Sequence, residues 1–184
     1  HVRAAAPDAE QGVDWLLAPV DYQRFVADFW DQAPLHIHGR CANYYADCFG
    51  LREVDATLSG NSLRSPFIRL VRNGSEVPLA GLSSNGRHAV ILEDVFAEYR
   101  AGASIVLQFL HEQNERLKDL CRDLAVALSA SVQANAYLTP SGERGLAIHY
   151  DTHDVFVLQI HGRKNWTLYD RTPLPPFKNE RGSR

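Results

Sequence analysis

The strongest constraint on the fold is a series of short segments near the end of the chain, where apolar residues alternate with polar ones or run almost continuously. Alternation with a period of two is typical of a β-strand that buries one face. Turn-forming glycines, prolines and polar residues separate the segments, which favours antiparallel hairpins. The four predicted strands are Val132–Leu138, Leu146–Asp151, Val155–His161 and Lys164–Tyr169.

The first part of the chain shows mostly helical spacing instead. Asp21 is suited to cap a helix over Tyr22–Trp30, and Pro34 ends that helix. Further helices are predicted at Tyr44–Leu51, Val54–Leu58, Leu92–Tyr99 and Asn114–Ser131. Short strands are predicted at Leu35–His38, Phe67–Arg72 and Ala103–Leu110. The turn signal Asn73-Gly74 follows the second of them, and an exposed loop is predicted at Ser75–His88. The sequence therefore predicts a helical N-terminal part that leads into an antiparallel sheet.

Composition limits the class of protein. The 184 residues suit one domain, and a net charge of −3 gives no basic surface for nucleic acid or anionic membranes. Apolar runs fall far short of the ~20 residues that a membrane span needs. The three cysteines, Cys41, Cys48 and Cys121, do not form a disulfide framework, which indicates a reducing compartment and predicts a cytoplasmic protein. The chain has no methionine and begins with His1, as a trimmed chain would.

One pair of residues has the spacing of a metal site. His149 and Asp151 lie two apart on a predicted strand, so their side chains share a face, about 6–7 Å apart along the chain. With one further histidine, such a pair forms the triad that leaves coordination positions open on Fe(II). Chance alone gives roughly 0.6 such pairs in a chain of this composition, so the alternative is a solvated histidine and a turn aspartate. Neighbouring segments with polar residues on a matching face favour the metal site.

Three further polar side chains are candidates for the same pocket. Asn135 and Tyr137 share one face of their predicted strand, and Lys164 shares a face with Trp166. A lysine among bulky residues on a sheet face needs a partner. The alternative for Lys164 is an exposed lysine just after a hairpin turn. The alternative for Asn135 and Tyr137 is an ordinary hydrogen-bonded pair on a solvated sheet face.

The C-terminal segments also resemble a known family. Asn135–Pro140, Gly145–Asp151 and Asp154–Tyr169 are similar to the JmjC ribosomal oxygenases, which are cupin-type Fe(II)/2-oxoglutarate hydroxylases. The similarity extends over most of residues 15–170, including Phe25–Leu35 and the helix after His111. The resemblance implies a double-stranded β-helix, iron as the metal, 2-oxoglutarate as co-substrate and a protein side chain as the target.

Carried over by position, the resemblance makes His149 and Asp151 iron ligands and Lys164 the partner of the distal carboxylate of 2-oxoglutarate. It places the Tyr137 hydroxyl near the co-substrate and Asn135 near the metal or the target. The family's third ligand is a histidine further downstream. Residues 171–184 contain no histidine, so we expect roughly the first half of the barrel here.

The expected fold is therefore mainly β with α-helices: a JmjC-like double-stranded β-helix of the jelly-roll or cupin type, truncated before the barrel is complete. We expect a flexible N-terminal arm over 1–14 and a helical part over 15–102. Core strands with the metal motif follow over 103–170, and a Pro-rich polar loop over 171–184.

The expected function is hydroxylation of an amino-acid side chain in a protein or peptide, such as a ribosomal protein, by an enzyme with Fe(II) and 2-oxoglutarate. Two alternatives stay open: a non-catalytic cupin-like binding or dimerisation module, and an oxygenase acting on a small metabolite or on a free or carrier-bound amino acid. A homodimer is compatible with either. The sequence predicts no role in the metal site for His153, for the pair His36 and His38, or for the cysteines.

Overall fold

The computed structural model describes residues 12–60, 63–79 and 90–169. Its described residues form helices that precede and interrupt one small sheet. The elements are α1 (Val13–Leu17), α2 (Tyr22–Asp28), α3 (Leu51–Ser59), β1 (Ile68–Arg72), β2 (Ser75–Val77), α4 (Leu92–Arg100), β3 (Ser104–Leu107), a 3-10 turn (Leu110–Glu112), α5 (Glu115–Leu128) and β4 (Ala136–Leu138).

Two predicted helix starts are confirmed by their capping side chains. Asp21 Oδ1 accepts the Arg24 backbone N–H at 2.8 Å, at the start of α2. Asn114 Oδ1 accepts the Leu117 N–H at 3.0 Å, at the start of α5. Such caps satisfy backbone donors that the helix itself leaves without an acceptor, so the helix start is fixed by local chemistry.

Two predictions in the N-terminal part are wrong. Leu35–His38 alternates between half-buried and exposed residues, but it has no ladder partner in the described part of the chain and is not a strand. The helix predicted at Tyr44–Leu51 is replaced by consecutive turns over 42–48, and Leu51 begins α3 instead. Here Tyr44 and Tyr45 pack against the ring of Trp15, a tertiary contact that the local pattern does not reveal.

The sheet is open, antiparallel and four-stranded, in the order β2-β1-β3-β4. Asn73 and Gly74 join β1 to β2 with φ of 51° and 78°, the pair of positive angles that a type I′ hairpin needs. The strand Ser75–Val77 lies where a loop was expected, and residues 80–88 of that predicted loop lie outside the described residues. β3 is central and all four of its residues are buried.

One face of the sheet packs against the helices. Leu70, Ile105 and Leu138 are partners across β1, β3 and β4, so their side chains share this face. Together with residues of α3, α4 and α5 they belong to the main hydrophobic core, which includes Leu58, Val95, Leu117, Leu120 and Leu124. Burial of this face stabilises the sheet. The side chains at the alternate positions of each strand therefore lie on the opposite face.

The opposite face, which we call the pocket face, carries the row Arg69, Val106 and Tyr137 and the neighbouring Ser104. Val106 is completely buried and Ser104 is 2% exposed, so this face is covered as well. The residues that pack over this face lie at 143–147. An added Cβ at Gly74 would lie 2.6 Å from Ala147 Cβ, and one at Gly102 would lie 3.1 Å from the Glu143 carboxyl carbon.

The prediction of a mainly β chain needs correction. Leu146–Asp151, Val155–His161 and Lys164–Tyr169 form no ladder with other described residues, and the strand predicted at Val132–Leu138 is limited to its last three residues. The described chain thus has more residues in helices than in strands.

The segment 155–160 nevertheless keeps a period of two. Phe156, Leu158 and Ile160 pack against the core while Val155 and Val157 are exposed. Buried and exposed side chains therefore alternate as in a strand, but a strand also needs a neighbouring strand with which to form backbone hydrogen bonds.

None of the helices in the described residues is long and apolar enough to cross a bilayer. Residues 1–11 of the expected arm and the expected loop at 171–184 lie outside the described residues, while α1 begins at Val13.

Candidate metal centre

His149 and Asp151 lie side by side after the chain has crossed the pocket face. His149 Nε2 is 3.7 Å from Asp151 Oδ1, and both side chains are a little over two-fifths exposed. Both residues are therefore close enough to bind one ion, and exposed enough for that ion to enter from solvent. Their assignment as ligands stays a prediction.

The orientation of the His149 ring is set by a backbone carbonyl. Nδ1 lies 2.7 Å from the Ala147 carbonyl oxygen, and because a carbonyl only accepts, Nδ1 carries the hydrogen. In the neutral ring Nε2 then presents a lone pair towards the Asp151 carboxylate. Two acceptors 3.7 Å apart repel unless a cation or a proton lies between them. A carbonyl that orients a ligating histidine in this way is usual in metal sites.

Tyr137 lies on the pocket face between two opposite charges. Burial raises the pKa of its phenol; the Arg69 guanidinium lowers that pKa and the Asp151 carboxylate raises it. The phenol is consequently uncharged at neutral pH and keeps its hydrogen for donation. Arg69, which the sequence gave no reason to single out, lies in the same row of the sheet and 3.8 Å from the Glu76 carboxylate.

Asn135 has a structural partner. Its Oδ1 accepts the backbone N–H of Phe109 at 3.1 Å, and Phe109 has the left-handed φ of 56°. This hydrogen bond joins the end of β3 to the chain before β4. This contact is that of an ordinary hydrogen-bonded polar residue, which was the alternative interpretation. The role of Asn135 in the pocket stays a prediction.

The Lys164 ammonium lies beside the pocket face. It is 5.6 Å from the centre of the Trp166 ring and 3.8 Å from the position that a Cβ on Gly145 would occupy. Burial lowers its pKa. Among the described residues no carboxylate forms an ion pair with it. A partly desolvated ammonium without an acidic partner is suited to an anionic ligand.

Three other histidines lie away from this pair. His36 and His38 are exposed, with ring centres 5.6 Å apart, and His153 contacts the Asp154 carbonyl oxygen at 3.2 Å. No group of three histidine, cysteine or carboxylate side chains converges anywhere in the described ranges. Within those ranges, the two predicted ligands His149 and Asp151 are thus joined by no third candidate.

The sequence gave no reason to single out two hydroxyls that lie beside Gly145. Ser104 Oγ and Thr139 Oγ1 are 2.9 Å apart, and they lie 3.3 Å and 3.1 Å from the position of a Cβ added at Gly145. The available signal was Ser104 itself, a hydroxyl that interrupts the apolar run Ala103–Leu110 and is buried in β3.

Comparison with known proteins gives one family. A family model of the JmjC domain matches residues 105–183. A protein named bifunctional lysine-specific demethylase and histidyl-hydroxylase NO66, from Drosophila erecta, is 30% identical over 188 residues, covering 100% of this chain and 27% of that protein. The proteins of the same name from Dictyostelium discoideum and Drosophila melanogaster are 32% and 28% identical, covering 84% and 100% of this chain and 30% and 27% of their own lengths. The chain thus spans about a quarter of the length of these relatives.

JmjC oxygenases use Fe(II), with 2-oxoglutarate as co-substrate. The donor set here fits that metal, because an oriented imidazole and a carboxylate are the ligand types of open Fe(II) sites. The partly desolvated Lys164 ammonium, which forms no ion pair among the described residues, fits an anionic co-substrate. The domain match over residues 105–183 and the relatives along the chain agree, and the chain belongs to the JmjC/cupin family.

Proposed function

We propose that this chain carries the metal-binding and co-substrate-binding part of an Fe(II)- and 2-oxoglutarate-dependent oxygenase that hydroxylates a side chain in a protein. The observation that carries the proposal is the pair His149 and Asp151, 3.7 Å apart, with the histidine tautomer fixed by Ala147. Iron held by these two residues would, with 2-oxoglutarate and O₂, supply the oxidation needed to insert one oxygen atom into a C–H bond.

The chain's own residues orient and shield that chemistry. His149 presents Nε2 to the metal because Nδ1 donates to the Ala147 carbonyl. Lys164, whose pKa burial lowers, would pair with the distal carboxylate of 2-oxoglutarate, and the neutral Tyr137 phenol would donate a hydrogen bond beside it. Buried Val106 and Ser104 exclude water from the floor of the pocket.

The substrate class is supported by the names of the relatives, which describe demethylation of lysine and hydroxylation of histidine. A protein side chain is therefore the target we propose, and a ribosomal protein is the first candidate to test. We also predict a cytoplasmic location, as the cysteine content suggested, and the proposal is compatible with a homodimer.

The test uses the full-length protein supplied with Fe(II) and 2-oxoglutarate, with succinate as the measured product. We expect iron-dependent succinate formation that falls to background in His149→Ala and in Asp151→Ala. His153→Ala is the matched control, because His153 is exposed and contacts only a neighbouring carbonyl, and it retains the activity. Metal affinity, measured in parallel with Mn(II), should fall in the same two variants.

Two results would contradict the proposal. If the full-length protein neither binds metal nor forms succinate, the chain is a cupin-like binding module. If succinate forms but mass spectrometry finds an added oxygen atom only on free amino acids and none on ribosomal or other proteins, the enzyme acts on small molecules.

A further inference from the structure

Arg69 lies on the pocket face and has no role in the proposed function. Arg69 and Tyr137 are the cross-strand partners of Val106 on its two sides. Burial raises the pKa of the Tyr137 phenol, while the Arg69 guanidinium lowers that pKa and the Asp151 carboxylate raises it. Partly exposed polar side chains therefore lead along the sheet to the metal site. We call them the polar strip: Arg69, Tyr137, Asp151 and His149.

The Arg69 guanidinium carries several N–H donors but has few acceptors around it. Its Nε is buried and has no hydrogen-bond partner among the described residues. Its Nη1 lies 3.8 Å from Glu76 Oε2, which makes an ion pair but is too long for a hydrogen bond. Neither Nη nitrogen is buried, so both can reach a molecule bound on the polar strip.

Two other arginines of the described chain also have a buried Nε without a partner, but their Nη nitrogens are used. Arg40 Nη2 donates to two backbone carbonyl oxygens, at 2.6 and 2.7 Å. Arg72 Nη2 donates to the Glu98 carboxylate. Such bonds are typical of an arginine that holds the fold together. Within the described ranges the Nη nitrogens of Arg69 form no hydrogen bond, which indicates a binding group instead.

The ion pair with Glu76 decides which kind of acceptor is complementary to Arg69. At 3.8 Å the carboxylate balances part of the guanidinium charge, so the group lacks hydrogen-bond acceptors more than it lacks a counter-ion. The carbonyl oxygen of a peptide group is a neutral acceptor, and every residue of a polypeptide carries one. An extended polypeptide can lie across an exposed strip and present these oxygens without entering a closed cavity.

We propose that Arg69 is a substrate-binding residue whose Nη groups donate to a backbone carbonyl oxygen of the target polypeptide beside the metal site. The inference rests on the proposed function, because it takes a side chain in a protein as the target. It deepens that function by naming a contact of this chain with the substrate backbone. Glu76 has a supporting role, since its carboxylate holds the guanidinium on the pocket face.

The experiment uses full-length protein with Fe(II) and 2-oxoglutarate. The probe is a synthetic peptide that spans the site where wild type adds an oxygen atom to a protein, located by mass spectrometry. Arg69→Met keeps an unbranched apolar side chain and removes every guanidinium donor. We expect it to raise KM for the peptide about ten- to hundredfold, since a hydrogen bond to a charged group is lost. The value of kcat should change by less than about twofold, because the contact exists before and during the reaction.

Arg69→Lys separates the charge from the hydrogen-bond geometry, because lysine keeps the cation but lacks the planar pair of Nη groups. It should recover only part of the lost peptide affinity. Arg24→Met is the matched control, since Arg24 is an exposed arginine of α2 that pairs with Asp28 at 3.4 Å, and it should retain the wild-type KM. Urea midpoints show that each variant is folded. Affinities for Mn(II) and 2-oxoglutarate should equal those of wild type in both Arg69 variants.

The outcomes separate the two proposals. If wild type adds an oxygen atom to no protein, the proposed function fails and the inference fails with it. If wild type modifies the peptide and Arg69→Met or Arg69→Lys has the wild-type KM, the proposed function stands and the present inference is overturned. Weaker binding of 2-oxoglutarate in folded Arg69→Met also overturns it, since the guanidinium then serves the co-substrate.

A second peptide tests the carbonyl oxygen as the partner of Arg69. In this peptide every acidic side chain is replaced by the corresponding amide, so the backbone carbonyl oxygens are unchanged and the side-chain anions are gone. The rise in KM caused by Arg69→Met should be the same for both peptides. If the rise disappears with the second peptide, Arg69 binds an acidic side chain and the inference is overturned.

Discussion

The contact between Gly74 and Ala147 couples the β1–β2 hairpin to the candidate metal site. A Cβ added to Gly74 would lie 2.6 Å from Ala147 Cβ and 3.2 Å from Ala147 N. The first distance is shorter than carbon atoms tolerate, so Gly74→Ala must displace either the turn or the segment over it. Because the Ala147 carbonyl orients the His149 ring, displacement of that segment disturbs the metal ligand.

The magnitude follows from two contributions. The φ of 78° at Gly74 costs any residue with a side chain about 1–2 kcal/mol. Overpacking against Ala147 adds about 1–3 kcal/mol. Gly39→Ala isolates the first contribution, since Gly39 has a nearly identical φ of 79° and nothing within 4 Å of an added Cβ.

The assay is urea unfolding of the protein, with Mn(II) affinity measured in parallel. We expect Gly39→Ala to lose only the backbone contribution and to bind Mn(II) normally. Gly74→Ala should lose about 1–3 kcal/mol more and bind Mn(II) more weakly. The double variant Gly74→Ala with Ala147→Gly should recover the additional loss. Equal stability and equal Mn(II) affinity of the Gly39 and Gly74 variants would refute the proposed coupling.

Three further predictions concern stability. Leu107→Ala, at a position 1% exposed, should lower the free energy of unfolding by about 2–5 kcal/mol, while Leu168→Ala, at one 65% exposed, should change it by under about 1 kcal/mol in the same urea titration. Asn114→Ala removes the cap of α5 and should cost about 1 kcal/mol, whereas Asn114→Asp, which keeps an acceptor oxygen, should not. Burial raises the pKa of the Cys48 thiol from 9.0 to about 11. In the unfolded chain the thiol therefore loses its proton at a lower pH than in the folded protein. The free energy of unfolding should decline as pH rises from 9.0 to about 11. Cys48→Ala should decline less over that pH interval, and an identical decline would contradict the assignment.

The sequence by itself determined the features that depend on a few neighbouring residues. Asp21 caps a helix as predicted, the helix predicted from Asn114 starts at that residue, and Asn73-Gly74 forms the expected turn. A cap or a tight turn is formed by atoms within about four residues of each other, so its chemistry can be read from the local sequence. The two-residue spacing of His149 and Asp151 belongs to the same class, and the structure brings their side chains to 3.7 Å.

Only the tertiary structure decided which segments pair and what covers each face. Leu35–His38 alternates like a strand but has no hydrogen-bonding neighbour in the described chain, while the polar Ser75–Val77 is a strand because it pairs with β1. The hydroxyls of Ser104 and Thr139 are 35 residues apart in sequence, and Gly145 meets them only because the chain folds back across the sheet. Strand pairing and burial depend on distant partners, and the physical reason is that hydrogen bonds and packing are satisfied in space, whatever the separation along the chain.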